Sequence, residues 1–582
     1  MNSETKQCQN CKKDFVVEPE DFNFYEKMQV PPPTWCPQCR AQRRLAFRND
    51  RIFYKRKSDY SGKEIFSRFS DTSPVKVYEE DVWNSDLWDG TDYAMDVDFS
   101  KPLLSQLREL LGKVPLLSRS VIKCINSDYS GNCTSFKNCY FCFGGNNNDD
   151  CSYCNSVSYS KNCFDILFGG KCELCYESFQ LNRCSRTLFS NRCDDCMDVL
   201  FSTNLHGCNN CFGCSNLRNK NFYIFNVPFA KDEYIRKISE FDLGSYKSIL
   251  EIRAKANDFW EKSINKYIDG MKNNDVSGEY IFNSKNTKYS YLVLDGENIK
   301  YSQYLRPGPN KDCYDVSIAP NNGELLYEGS TVGIDGSNLK FNVECFENAQ
   351  DLEYCMYCRG NISHLFACVG LKSKKYCILN KQYTKDEYEA LVPKIINHMN
   401  KMPYADKLGR IYKYGEFFPI EFSPFAYNDT IAQEYFLLTK EQAIKQGYNW
   451  KDSDKRAYTI TKTSDQLPDN IKDIDDSILK DTIQCLHNQK CDEQCTQAFK
   501  ITIQELQFYK KINLPIPRLC PNCRYYQRMA QRNPLKLWHR QCMCDKKHPH
   551  HTGKCSNEFE TSYAPERKEI VYCEQCYQQE VV

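Results

Sequence analysis

The chain has 582 residues, and its 77 Lys and Arg almost cancel 76 Asp and Glu, so no global field directs it toward nucleic acid or a membrane. With 41% apolar residues it can build packed cores, and its length suggests three or four domains. No stretch approaches the about 18 apolar residues of a membrane span, and "MNSETKQCQN" lacks the apolar core of a signal peptide, which points to a cytoplasmic protein without a membrane partner. Its 35 cysteines are then expected as thiols and metal thiolates rather than disulfides.

Residues 1–85 read as a paired zinc-ribbon module. Cys8 and Cys11, then Cys36 and Cys39 after a strand-sized stretch, form two CxxC turns that can close a tetrahedral Zn2+ site from opposite sides. A module this small can take its folding energy from the metal. Residues 86–119 follow as a linker with a short helix.

Residues 120–228 carry a cysteine repeat. Cys133, Cys154, Cys175 and Cys196 are evenly spaced, about 21 residues apart, as are Cys142, Cys163 and Cys184, and Cys151, Cys172, Cys193 and Cys214. A fixed period means stacked units. Short aromatic and aliphatic runs broken by Gly, Asn and Asp predict strands and turns, hence a right-handed β-solenoid of about 21 residues per coil. Its cysteines have three readings: a packed ladder of soft, small side chains, zinc ligation across coils, or an iron–sulfur cluster.

Residues 229–273 have helical apolar spacing and predict a helical insertion. From 274 to 383, "NIKYSQY", "KDCYDV", "ELLYEG" and "NLKFNVEC" recur at about 13-residue spacing and predict a second solenoid. Each solenoid ends in a strand, a turn at Asn226 or Asn380, and a helix, the second with Thr384 and Glu387 at capping-box spacing. Residues 384–484 are read as that capping helix and an extended connector, with one short helix near "TKEQAIKQG".

Residues 485–582 repeat the N-terminal frame: "FYEKMQVPPPTWCPQCR" returns as "FYKKINLPIPRLCPNCR". Cys495, Cys520 and Cys523 align with Cys11, Cys36 and Cys39, while Asp492 stands in place of Cys8. Cys491 with Cys495 is taken as the first pair, with Cys485 and His487 as alternatives. These two stretches resemble the probable zinc-ribbon domain of bacteria, a treble-clef-like finger that often precedes a second half-site. Here that half-site is Cys542, Cys555, Cys573 and Cys576, with Cys544 competing for the place of Cys542. His548, His550 and His551 are expected in a solvated loop. In the N-terminal copy the corresponding positions align as Ser58, Glu64, Glu79 and Val82, so three structural zinc sites are expected and the fourth is degenerate.

The expected fold is therefore mainly β with α segments: a central β-solenoid in two parts with helical caps, flanked by small zinc-ribbon or treble-clef modules. This order resembles a group of uncharacterised cysteine-rich proteins from bacteria with reduced genomes. Members have carried a CaiB/BaiF-type CoA-transferase label, yet no large α/β domain or Asp nucleophile pattern is visible. Three functions stay open. One is a non-enzymatic, zinc-stabilised scaffold binding a macromolecule through its solenoid face. A second is nucleic-acid or ribosome binding through basic segments 40–57 (Arg40, Arg43, Arg44, Arg48, Arg51, Lys55, Arg56, Lys57) and 524–540 (Arg524, Arg528, Arg532, Lys536, Arg540). The third is an enzyme, for which no nucleophile–base constellation or phosphate loop is found.

Overall fold

The computed structural model describes residues 2–319, 321–452 and 458–582. Two mainly parallel β-ladders occupy the middle of the chain, one from Val121 to Pro228 and the other from Gly270 to Gln382.

The first solenoid is built on a backbone period of three. Asn132, Ser135, Asn138, Phe141, Asn147, Asp150 and Tyr153 all have positive φ. The residue after each of these turns inward: Cys133, Phe136, Cys139, Cys142, Asn148, Cys151 and Cys154 are all buried. Phe164 pairs with Tyr176 and Tyr176 with Leu188, and Met197 pairs with Asn209 and Asn209 with Asn221. Hydrogen bonds between equivalent positions of neighbouring coils accordingly span 12 residues, so one coil is a square of four tripeptides. This overturns the longer coil that the cysteine spacing suggested. Twenty-one is a multiple of three but not of twelve. A cysteine series at that spacing stays inward while stepping through all four inward columns, so it marks the facing and not the coil. In the second solenoid Leu326, Leu339, Leu352 and Leu365 stack one coil apart, and Asn338 and Asp351 bond across the same 13-residue step, as the looser pattern there predicted.

Small polar side chains satisfy the inward backbone. The N–H groups of Cys139, Cys142, Cys172 and Cys214 each donate to the hydroxyl of the serine one coil earlier (Ser127, Ser130, Ser160 and Ser202). Serine hydroxyls in turn donate to the carbonyl two residues back, as Ser190 does to Leu188. Cysteine follows the same rule: the Cys151 thiol faces the Asp149 carbonyl at 3.3 Å and the Ser160 carbonyl at 3.5 Å, and Cys184 faces those of Asn182 and Cys193. A buried backbone group without a partner is costly, and a leucine here could donate nothing to these carbonyls. This explains a core rich in Cys and Ser.

Both solenoids end as expected. Asn226 and Asn380 have positive φ, and each side-chain amide pairs with the N–H and C=O of one residue in the preceding coil, Ser215 and Val369 respectively. Helices Lys231–Ile238 and Lys385–Lys401 follow, the latter opened by the Thr384–Glu387 capping box. The connector contains the short helix Lys440–Lys445, and part of its polar run, 453–457, lies outside the described residues. Its aromatic stretch is no solvated linker: Phe417, Phe418, Ile420, Phe422, Phe425 and Tyr427 are buried in a core shared with the N-terminal module and the second solenoid.

The terminal modules are exchanged. The N-terminal module docks on the second solenoid: Phe24 stacks on Tyr314 at 3.8 Å, Lys300 pairs with Asp21, and Arg40 and Arg44 converge on Asp315 at 2.7 and 3.1 Å. The C-terminal module repeats this on the first solenoid, with Phe508 on Phe164 at 4.0 Å and Arg524 and Arg528 on Asp165 at 3.1 and 2.8 Å. Both aspartates are wholly buried. The second halves of the modules meet the solenoid starts instead: Val77–Tyr78 pairs with Leu116–Leu117, and Ile570–Tyr572 with Ile264–Lys266. Arg51 lies 3.4 Å above the Tyr525 ring and joins the two modules directly.

Two outcomes test this packing. Asp165→Ala leaves Arg524 and Arg528 buried without their shared carboxylate and should cost about 3–5 kcal/mol, read from the urea midpoint. Cys151→Ser should stay within about 1 kcal/mol of the parent, because a hydroxyl makes the same carbonyl contacts, whereas Cys151→Leu should lose about 1–3 kcal/mol by overpacking.

Candidate metal centres

Each centre joins a β-hairpin to a helix N-terminus. In the first, the hairpin of Glu4–Gln7 and Asp14–Val17 carries Cys8 and Cys11 in its turn, held by the Cys8 N–H to the Lys13 carbonyl and the Lys12 N–H to the Cys8 carbonyl. Cys36 caps helix Pro37–Leu45, and Pro37 at its first position needs no N–H partner. The Cys36 N–H donates to Cys8 Sγ at 3.2 Å, and the Asn10 amide donates to Cys39 Sγ at 3.3 Å. The four sulfurs lie within 4.8 Å of one another.

The second centre has the same build with a longer turn. Strand Ile483–Gln484 leads into Cys485 as Glu4–Gln7 leads into Cys8, and the Cys520 N–H donates to Cys485 Sγ, again at 3.2 Å. Cys485, Cys495, Cys520 and Cys523 form the mutually close group. Cys491, expected in the first pair, lies beside the cluster with its Sγ 3.8 Å from Cys523 Sγ, while Cys485 holds the place equivalent to Cys8. The turn carries extra residues, and the short strand before Cys485 aligns it with Cys8, the alternative the sequence also offered for the first pair. His487 faces Glu493.

In the third centre, hairpin Trp538–Gln541 and Glu558–Thr561 supplies Cys542 and Cys555, and Cys573 caps helix Glu574–Val581, which holds Cys576. The Cys573 N–H donates to Cys542 Sγ at 3.2 Å. All four cysteines are buried and mutually close. Cys544 is buried too, but groups with His548, His551 and Cys576.

At the fourth position Ser58 and Glu79 occupy the places of Cys542 and Cys573, and the Ser58 hydroxyl is hydrogen-bonded to the Glu79 carboxylate. The N–H groups of Tyr60 and Ser61 point at Ser58 Oγ at 3.1 and 3.4 Å. Glu64 does not stand where Cys555 stands: it is in strand Glu64–Ser67, paired with Lys55. Ser61, three residues before that strand, matches Cys555, three residues before Glu558–Thr561. Val82 sits half-buried in helix Glu80–Trp83.

In each of the first two clusters one thiol is shifted toward thiolate, while Cys39 and Cys523 beside it are shifted the other way. Hydrogen bonds from Cys36 and then Cys39 hold the Cys8 thiol far below its ordinary value, and those from Cys485 and Cys523 do the same for Cys520. The helix N-terminus adds its positive end. Four thiolates at such distances suit a closed structural ion with no position left for substrate. No disulfide forms among the described residues, and no helix described is long and apolar enough to cross a membrane.

The arginines of both basic segments are largely spent inside the protein. Arg40, Arg43, Arg44, Arg524 and Arg528 are each at most 5% exposed, and Arg48 and Arg532 are also buried. Lys55, Lys57 and Lys536 remain exposed. No protein-family model and no curated protein matches this chain.

Elemental analysis of point variants tests the second centre. Cys485→Ser should release one metal equivalent per chain, and Cys491→Ser should release none.

Proposed function

We propose that the protein is a non-enzymatic scaffold in which structural zinc in the terminal modules locks two solenoids together, leaving the outer solenoid faces to bind another macromolecule. The observation that carries this reading is that metal ligands and joint residues share one helix. Pro37–Leu45 holds Cys39 at one end and Arg40, Arg43 and Arg44 beyond it; Pro521–Ala530 holds Cys523, then Arg524 and Arg528. An ion that fixes the start of such a helix fixes the aim of arginines buried against Asp315, Glu328 and Asp165. Zinc suits the clusters because it takes four thiolates tetrahedrally without redox chemistry. The solenoid cysteines, engaged with main-chain carbonyls, serve as core and need no ion.

A rigid stack with exposed Ile122, Ile125 and Tyr129 near one end and Tyr289 on the other solenoid offers apolar and aromatic contacts on a fixed frame. Nucleic-acid binding is less favoured, because the arginines that suggested it have carboxylate partners within the chain.

Chelation tests the scaffold reading. A strong chelator should remove zinc, lower the melting temperature and expose the connector to limited proteolysis, with zinc restoring the original pattern. A zinc-free protein of unchanged melting temperature and cleavage pattern would overturn it.

A further inference from the structure

The histidine-bearing loop of the C-terminal module is largely exposed, as expected, but His548 and His551 turn from it toward the cysteine cluster. His548 and His551 bridge each other through paired backbone hydrogen bonds, which turns the loop back toward Cys576. His551 Nε2 lies 3.2 Å from Cys576 Sγ, while its Nδ1 faces the Gly553 carbonyl at 2.8 Å. A proton on Nδ1 satisfies that carbonyl and leaves the Nε2 lone pair aimed at the cluster, the arrangement by which an outer carbonyl orients a ligating imidazole. The His548 side chain is only 6% exposed, and its Nε2 is buried without a hydrogen-bond partner, its nearest acidic oxygen being that of Glu580 at 3.4 Å. Cys544 is wholly buried beside them. A single ion held by Cys542, Cys555, Cys573 and Cys576 leaves Cys544 outside its ligand set and the buried His548 Nε2 without a hydrogen bond, and a buried polar group without a partner is costly.

We propose that this module binds two metal ions sharing the Cys576 thiolate. The first is held by Cys542, Cys555, Cys573 and Cys576. The second is held by Cys544, His548, His551 and Cys576, whose ligand atoms also lie within 4.8 Å of one another. A Cys2His2 set selects a zinc-like ion, and a sulfur with two lone pairs to give can serve both ions. Five thiolates and two neutral imidazoles around two divalent ions leave a net charge of one negative, which the cluster tolerates better than five thiolates around one ion. His550 also lies 3.3 Å from the same sulfur through Nε2 and is close to His551 and Cys555, but it is exposed where His548 and His551 are not, and the proposal leaves it outside the set. This inference rests on the zinc reading above and adds a fourth ion, located in the histidine loop and not at Ser58 and Glu79.

The test uses the full chain loaded with zinc and, in parallel, with cadmium-113. Wild type should hold four ions, the conservative pair His548→Gln and His551→Gln three, Cys544→Ser three, and Cys576→Ser two. Cadmium-113 spectra should show two mutually coupled resonances through the shared sulfur, with the coupling lost in the histidine variant while the all-cysteine resonance persists. Three ions in both wild type and histidine variant, with no coupled pair, would overturn the two-ion centre and leave the scaffold reading standing. Absence of tightly bound zinc from wild type would overturn both.

Discussion

The architecture depends on a buried carboxylate met by two arginines, made twice. Asp315 receives Arg40 and Arg44; Asp165 receives Arg524 and Arg528. Guanidinium groups and carboxylates removed from water gain only if geometry and extra hydrogen bonds offset desolvation. The surroundings of the two joints are also duplicated. Tyr301 and Tyr153 lie under Arg40 and Arg524, and their hydroxyls reach Asp21 and Glu505. Such joints say little about raw stability and more about where each module docks. The cysteine clusters lie one step upstream, at the start of the helix that carries the arginines.

The solenoid core answers a second constraint. A coil of four tripeptides is narrow, and its period-three backbone turns N–H groups inward. Serine and cysteine meet both conditions: they are small, and they carry an atom able to accept from the next coil and give to the carbonyl behind. Where the coil widens by one residue, in the second solenoid, leucine takes over much of the column, as at Leu326, Leu339, Leu352 and Leu365.

Much of this was readable before the structure. The CxxC pairs marked the ends, stacked strands were predicted from the repeat, and Asn226 and Asn380 marked where stacking stops. What escaped was whatever depends on partners far along the chain. The coil length stayed hidden because Cys133, Cys154, Cys175 and Cys196 keep a period of facing, and only strand pairing shows the period of the coil. Arg44 read as a surface charge because its partner Asp315 is 271 residues away. That Cys485 aligns with Cys8 was hidden because a count of residues cannot see where a strand ends. Glu64 was placed by frame, though Ser61 holds the position. That His548 and His551 turn toward the cluster was hidden because no local pattern shows a loop folding back.

The exchange of modules sets an order of events during synthesis. The N-terminal module leaves the ribosome first, but its anchor, Asp315, and the carboxylate that receives Arg68, Glu344, follow much later. The first solenoid is likewise complete long before Arg524 and Arg528 arrive to cover Asp165. Contacts this distant in sequence form late, and the apolar surface waiting for them stays open meanwhile. Neither end can finish until the opposite half of the chain exists. A truncated chain therefore keeps an uncovered solenoid flank and a cluster of charges whose partners are missing.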